Sequence, residues 1–291
     1  MSSISIFLAI LILAGHAAAW KGNSNTTALR AHNFDDLTLG PFDECNAKKP
    51  SYVQASSGNA FSGTGKMTMY FDETDFDGTR NDKGAELCCE VYGQDDKNVI
   101  AMYKEGWQGF AVYVPSSTFP DNKNGSIAQQ FCPGGCSSWC GLVTIESNSL
   151  TVDHRTYCGD PTHAVVVEDI ERDTWHTIVV RFRVSHAKDG AYELWYDGKQ
   201  VYSATGVNVG FGTWDADADE LSTGFYFKNG LYAHGEFEIV RRGVVLAHII
   251  LTQSWVDTEN YNDETRTLYF DHVSWYRADD GETDGYATVK P

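Results

Sequence analysis

Short segments of alternating apolar and polar residues recur along this chain, while helical periodicity is nearly absent. Residues 107–114 alternate cleanly and Pro115 ends the pattern, as expected of a β-strand. The pair Asp197-Gly198 separates two further alternating segments, and Asp-Gly is a strong signal for a two-residue hairpin turn. Many short strands separated by Gly, Asn and Asp turns predict an all-β fold, namely a two-sheet antiparallel β-sandwich of jelly-roll type with a concave groove.

The segment FYFKNGLYAHGE, residues 225–236, predicts the floor of that groove. Because side chains alternate in a strand, its polar residues share one face opposite an apolar face. The polar face would carry Tyr226, Lys228, Gly230, Tyr232 and His234. Lys228 and Tyr232 would lie about 13 Å apart along an extended chain, which is roughly the length of two to three sugar units. Such a face fits a polar groove better than a core.

Two longer strands are predicted at residues 175–184 and 266–276. Regular alternation in the second of them predicts that five side chains share one face: Leu268, Phe270, His272, Ser274 and Tyr276.

Residues 1–19 have the features of a secretory signal peptide, since an apolar run is followed by three alanines at a cleavage position. No later segment is long and apolar enough to predict a membrane span. Sequons at Asn25 and Asn124 fit export with N-glycosylation. We therefore expect a secreted, extracellular protein.

The mature chain has the length of one large β domain. We expect a polar N-terminal arm at residues 20–33, the β-jelly-roll domain at 34–277 and a loose acidic tail at 278–291.

The sequence contains seven cysteines, which in an exported chain favour disulfides over free thiols. They allow at most three bridges and leave one thiol over. Cys132, Cys136 and Cys140 lack the spacing of zinc ligands, so a disulfide-stapled loop is the better interpretation.

The formal net charge of −18 argues against nucleic acid and anionic membranes as partners. The same charge counts against a polyanionic substrate unless the groove is locally basic. We expect a monomer.

Three segments, taken in order, resemble a known family: GWQGFAVYVP at 106–115 followed by IAQ at 127–129, then residues 175–198, then YFKNGLY at 226–232. They resemble the β-jelly-roll polysaccharide lyases, which include glucuronan lyase (polysaccharide lyase family 20), heparin lyase I and, more distantly, family 7 alginate lyases. The resemblance covers most of residues 34–277. It implies cleavage of an acidic polysaccharide, above all β-1,4-glucuronan, by β-elimination to unsaturated products.

Elimination from a 4-linked uronate has three chemical requirements. The carboxylate next to the C5 proton must be neutralised, a base must remove that proton, and an acid must protonate the leaving O4. Hydrogen-bond donors near the developing charge stabilise the transition state. In glucuronate and mannuronate the proton and O4 lie on the same side of the ring, so one tyrosine can act first as base and then as acid if nearby cations lower its pKa.

The resemblance assigns three catalytic residues. Tyr232 matches the catalytic tyrosine, Lys228 the lysine four residues before it, and Gln129 the glutamine that binds the substrate carboxylate. Tyr226 and His234, on the face of Tyr232, are predicted to contact substrate.

Two departures from the family pattern concern substrate binding. Relatives often have histidine where this chain has Phe131, and His234 or His154 would have to substitute for it. The Arg-x-Glu of an early strand keeps its acid as Glu86 but has no arginine two residues before. Lys83 or Arg80 would take that place, so Lys83 and Glu86 complete the predicted substrate-binding set.

Acidic residues in an early loop and the last strand resemble the places where jelly rolls bind a structural Ca²⁺. Asp35 and Asp271 are the predicted ligands, although Ca²⁺ needs six to eight oxygens, many of them from the backbone.

Three alternatives remain open. Alginate is the runner-up substrate, and its guluronate units would need a separate base such as His234. A non-catalytic glycan-binding module would use the aromatic content, 13% of residues, equally well. A retaining glycoside hydrolase needs two carboxylates about 5 Å apart, and the strand spacings typical of that pair are missing from the sequence.

Overall fold

The computed structural model describes residues 28–75, 83–91, 97–133, 138–157, 160–210, 224–233, 265–278 and 285–291. These residues form two antiparallel sheets of eight strands each, which face each other without closing into a barrel. Three short helical segments accompany them, the 3-10 turns Pro50–Tyr52 and Glu73–Asp75 and the α-helix α1, Gly285–Val289. The predicted two-sheet antiparallel architecture is confirmed.

In the first sheet the strands lie in the order β14 (Lys199–Val209), β13 (Ser185–Tyr196), β12 (Trp175–Arg183), β7 (Glu105–Tyr113), β16 (Thr265–Ala278), β4 (Gly65–Asp72) and β3 (Val53–Ser57), and β1 (Ala28–His32) also pairs with β16.

In the second sheet the order is β11 (Thr162–Val167), β10 (Ser149–His154), β9 (Ser138–Glu146), β8 (Gly125–Cys132), β15 (Gly224–Tyr232), β5 (Gly84–Cys88) and β2 (Asp43–Cys45), and β6 (Ile100–Ala101) also pairs with β15.

The hairpin between β13 and β14 turns at the predicted pair. Asp197 and Gly198 have φ values of 47° and 79°, the positive angles that a tight hairpin turn of this kind requires. Asp197 also accepts hydrogen bonds from His176 and from the backbone N–H of Thr177, both at 2.8 Å, which fix the turn against β12.

The apolar core fills the space between the sheets, and a buried polar network crosses it. Asn229 of β15 accepts hydrogen bonds from Gln108 of β7 at 2.8 Å and from Trp275 of β16 at 2.7 Å. Gln108 in turn accepts from Gln130 of β8 at 2.8 Å and donates to the backbone carbonyl of Lys228, also at 2.8 Å. Because every buried polar group here needs its partner, the network fixes β15 against the first sheet.

The predicted face of the last strand is wrong beyond residue 271. A β-bulge interrupts the pairing of β16 with β7 between Asp271 and Ser274, and His272 adopts a φ of 50°. An extra residue in one strand reverses the side-chain alternation that follows. Val273 and Trp275 therefore pack in the core, where regular alternation had placed residues 272 and 274.

Both predicted chain ends differ from the structure. Residues 28–32 of the expected polar arm form β1 and pair with β16, while residues 1–27, with the predicted signal peptide and Asn25, lie outside the described residues. The end of the expected loose tail is docked: α1 packs on the outer face of the first sheet, and Val289 is fully buried among Trp107, Val179 and Tyr276.

We expect Val289→Asp to lower the free energy of unfolding by about 2–4 kcal/mol, because it places a carboxylate in an apolar contact. Thermal or denaturant unfolding measures this. Ala287→Asp, on the exposed side of the same helix, is the matched control and should change stability by less than about 0.5 kcal/mol. Equal losses in the two variants would show that the helix does not stay docked in solution.

The stapled loop is present as a disulfide between Cys132 and Cys140. Cys136 lies outside the described residues.

Asn124, of the second sequon, is only 6% exposed, and its side-chain oxygen accepts the backbone N–H of Ser147 at 3.1 Å. A glycan on the side-chain nitrogen of Asn124 would need this buried side chain to become more exposed. Among the described residues, no helix is long and apolar enough to cross a membrane.

Candidate active site

The outward face of the second sheet carries the residues that the sequence placed in the groove. On β15, Tyr226, Lys228 and Tyr232 point away from the core and are half-buried, whereas Phe225 and Phe227 are buried in it. His234, which was predicted to continue this face, lies outside the described residues. We call this outward face of β15 and its neighbouring strands the site face.

Gly230 shapes the site face between Lys228 and Tyr232. It has a φ of 148°, and a β-carbon there would meet the carbonyl oxygen of Ala85 at 2.3 Å. Only glycine combines this conformation with so close an approach. The pairing of β15 with β8 shifts register between Asn229 and Tyr232, so a bulge sets the direction of the tyrosine.

The sheet register brings the predicted residues together from separate parts of the sequence. Lys228 lies opposite Gln129 of β8, and Gly230 lies opposite Glu86 of β5. Directly opposite residues of an antiparallel pair have β-carbons about 4.5–5.5 Å apart. Tyr232 lies opposite Gly84 on one side, and the backbone N–H of Ala233 donates to the carbonyl of Lys83 at 2.8 Å. Lys83 therefore borders the end of β15 that carries Tyr232, and its contact with substrate stays a prediction.

Glu86 is the centre of this cluster. Its carboxylate is 1% exposed and accepts hydrogen bonds from the side-chain amides of Gln129 and Asn46. The ammonium of Lys228 lies 3.8 Å from the same carboxylate. A buried carboxylate is tolerated only when it is paired and hydrogen-bonded, and three partners meet that need here. Glu86 thus holds two predicted catalytic side chains, rather than pointing to solvent as a substrate contact would.

The contact with Glu86 fixes the orientation of the Gln129 amide. A carboxylate only accepts hydrogen bonds, so the NH₂ end of Gln129 faces Glu86. That nitrogen carries two hydrogens and gives one to Glu86, so one N–H can serve a ligand.

Lys228 is held in its charged form. Burial disfavours the charge, but the carboxylate of Glu86, with smaller contributions from Cys45 and Tyr226, outweighs burial and raises the pKa of Lys228 above its usual value. The site face therefore carries a charged ammonium that is paired with Glu86.

Tyr226 is chemically unlike a catalytic base. Burial raises its pKa to about 12, although nearby Lys228 lowers it somewhat. Phe131 packs against the Tyr226 ring at 5.2 Å between centroids and lies 5.0 Å below the Lys228 ammonium. The phenylalanine that replaces the family's histidine therefore supports these two side chains and offers no proton-transfer group.

His154 does not substitute for that missing histidine. It is 4% exposed on the inner face of β10, against the rings of Tyr192 and Tyr202, and burial lowers its pKa. Because alternation turns it toward the core, the suggestion that it serves the site is wrong. Arg80, the other suggested substitute, lies outside the described residues.

Asp35 and Asp271, the predicted calcium ligands, lie apart from the site face. Asp271 accepts the backbone N–H groups of Phe61 and Ser62, and Asp35 accepts that of Gly65. Burial raises the pKa of Asp271 to about 7 despite these donors. Backbone N–H groups and the hydroxyl of Thr64 donate to these carboxylates. Among the described residues no group of three His, Cys, Asp or Glu could hold a metal ion, so backbone oxygens would have to complete a Ca²⁺ site. Calcium at Asp35 and Asp271 stays a prediction.

Two contributors to the site were missed from the sequence. Asn46 has a φ of 57° and reaches Glu86 across 40 residues, which alternation cannot reveal for a residue just outside a strand. Asn229 lies on the apolar face of β15 and anchors the backbone of Lys228 through Gln108. The sequence does show Asn229 as a polar residue among apolar residues on one face of the strand, and this could have indicated its role.

Comparison with known proteins identifies the class of this jelly-roll protein. The family model described as polysaccharide lyase matches residues 34–274, so the chain belongs to that family and is a polysaccharide lyase. No curated protein matches the chain.

Two solved structures illustrate the structural similarity. An endo-β-1,4-glucuronan lyase from the fungus Trichoderma reesei is 19% identical, with a TM-score of 0.61 over 91% of this chain and 99% of that one. A family 7 alginate lyase, A1-II′, in complex with a substrate is 11% identical, with a TM-score of 0.52 over 81% of this chain and 85% of that one. At these identities the similarity shows the shared fold. Membership of a lyase family rules against the non-catalytic module and the glycoside hydrolase.

Proposed function

We propose that this protein is a secreted lyase that cleaves a 4-linked polyuronate, above all β-1,4-glucuronan, by β-elimination. The observation that carries the proposal is the cluster in which Glu86 holds Gln129 and Lys228 together on the face that also bears Tyr232. An amide donor and a buried cation side by side are suited to bind one substrate carboxylate.

In this mechanism the remaining N–H of Gln129 and the ammonium of Lys228 neutralise the uronate carboxylate. Neutralisation makes the C5 proton acidic and stabilises the charge that develops when it leaves. The ammonium of Lys228 is shared between Glu86 and the substrate carboxylate, while the amides of Asn46 and Gln129 donate to Glu86 as well.

Tyr232 would remove the C5 proton and then protonate the leaving O4. Both events occur on one side of a glucuronate ring, so a single hydroxyl can serve them in turn. Tyr226 is the less suitable tyrosine, because a pKa of about 12 makes its anion scarce near neutral pH. A single tyrosine that acts on one side of the ring suits glucuronan or polymannuronate better than polyguluronate.

The proposed substrate-binding surface extends along a row of side chains across the second sheet. Lys228 pairs with Gln129, Gln129 with Leu142, Leu142 with Asp153, and Asp153 with His163. Four strand spacings of about 4.8 Å give this row a length of about 19 Å. Sugar units on one side of the cleaved bond therefore have a surface to lie on.

The test is product formation on glucuronan, polymannuronate, polyguluronate and a heparin-type polymer, followed by the ultraviolet absorbance of the unsaturated uronate. We expect the fastest rise on glucuronan and a rate on polyguluronate at least about tenfold lower, because its C5 proton and O4 lie on opposite sides of the ring. A faster rate on polyguluronate would contradict the single-tyrosine mechanism. Absence of product from every polymer would contradict the substrate class.

A further inference from the structure

Two thiols lie beside the catalytic cluster on the site face. Cys45 of β2 is opposite Glu86, and Cys88 of β5 is opposite Asp43, so the cysteines are diagonal neighbours on paired strands. Their thiols are hydrogen-bonded to each other. Cys88 is 7% exposed, whereas Cys45 is half-buried and more open to reagents.

Both cysteines lie next to residues that position the catalytic side chains. Cys45 directly precedes Asn46, whose amide donates to Glu86. Cys88 follows Glu86 by two residues on the same face of β5, and both thiols are close enough to Lys228 to add to the charge interactions that raise its pKa against the effect of burial. A change at this thiol pair would therefore act on the position of Glu86 and its partners.

We propose that Cys45 and Cys88 form a reversible disulfide that ties the edge strand β2 to β5 and holds Asn46 on Glu86. Formation of the bond does not depend on the proposed function, whereas its effect on catalysis rests on it.

The bond forms by exchange with a small external disulfide. The more exposed Cys45 thiol attacks one sulfur of the reagent, which leaves a mixed disulfide on Cys45 and releases one reduced thiol. Cys88 then attacks the Cys45 sulfur and releases the second thiol. Two protons and two electrons leave the cysteines, and the reagent disulfide is reduced. The hydrogen bond to Cys45 and burial raise the pKa of Cys88, so the second step is the slower one.

The geometry couples this chemistry to the site. In a regular ladder, diagonal neighbours have Cα atoms about 7–8 Å apart, while most disulfides span about 5.5–6 Å. The bond therefore has to draw the two cysteines slightly closer together. Among the described residues β2 is a three-residue edge strand paired with β5. Asn46, the next residue, already donates to Glu86, and the bond would hold that contact in place.

The first test is chemical and uses the full mature chain, exposed to oxidised or to reduced glutathione. After each treatment, free thiols are alkylated, the protein is digested and the linked peptides are identified by mass spectrometry. We expect a peptide pair joined through Cys45 and Cys88 after oxidation and its loss after reduction. Alkylation of both residues after oxidation, or a bond from either one to another cysteine, would overturn the proposal.

The second test measures consequences. Oxidation should raise Tm by roughly 5–10 °C. It should also raise kcat/KM on the cleaved polymer by about tenfold, since it keeps Asn46 on Glu86 and so keeps Gln129 and Lys228 in position. The Cys45→Ser/Cys88→Ser double variant keeps the Cys132–Cys140 bridge and should show neither change. Equal responses of wild type and double variant would contradict the proposed coupling. Inactivity on every polymer would contradict the proposed function, while the linked peptides and the Tm shift would still decide the disulfide.

Discussion

Replacing Tyr232 by phenylalanine is expected to lower kcat by about 10²–10⁴-fold, because it removes the hydroxyl that we assign to proton abstraction and to protonation of O4. The ring remains, so KM and Tm should change little. Steady-state kinetics on the best polymer, with thermal unfolding of the same preparation, measure both quantities.

Tyr226→Phe is the matched control. Tyr226 lies on the same face of the same strand, and its pKa of about 12 makes it a poor base. We expect this variant to keep kcat within a few-fold of wild type. The assignment would be contradicted if the two variants lost equal activity, or if Tyr226→Phe were the inactive one.

Replacing Glu86 by glutamine is expected to lower kcat/KM by about 10–100-fold although Glu86 does not take part in the chemistry. The change removes the charge that holds Lys228 protonated while the burial of the lysine remains, so the pKa of Lys228 falls. Activity that requires the charged lysine should then be lost at a lower pH, and the basic side of the pH–rate profile should shift downward. A merely structural role for Glu86 would not move this profile.

The same substitution should cost about 3–5 kcal/mol of stability, because it leaves a buried ammonium without its counter-charge. The Glu86→Gln/Lys228→Met double variant removes both charges and should recover much of that loss while staying inactive. If the double variant were no more stable than Glu86→Gln, the pairing of Glu86 with Lys228 would not be the interaction that matters.

The sequence predicted the parts of the structure that depend on local rules. Asp197-Gly198 specifies its turn by backbone conformation alone, and the alternation from Tyr226 to Tyr232 specifies a face because each side chain reports its own environment. The assignment of Gln129 and Lys228 to one site followed the resemblance to known lyases and not any local pattern.

What could not be predicted depends on contacts between distant segments. The bulge at His272 adds one residue to the strand and reverses the alternation after it. No Gly or Pro in this segment of the sequence indicates the bulge. The docking of Val289 is decided by an apolar patch on the opposite side of the sheet from the core. Asn46 and Glu86 meet only because β2 pairs with β5. The charge of Lys228 is likewise a property of its three-dimensional surroundings and not of its type.

The central claim, that the enzyme breaks its polymer by elimination, is tested most directly by the products formed in water enriched in heavy oxygen. Elimination adds no water across the cleaved bond. The account predicts glucuronan fragments that carry a C4–C5 double bond at one end and no heavy oxygen from the cleavage. Saturated fragments that incorporate one heavy oxygen per cleavage would show hydrolysis and contradict the roles given to Tyr232, Gln129 and Lys228.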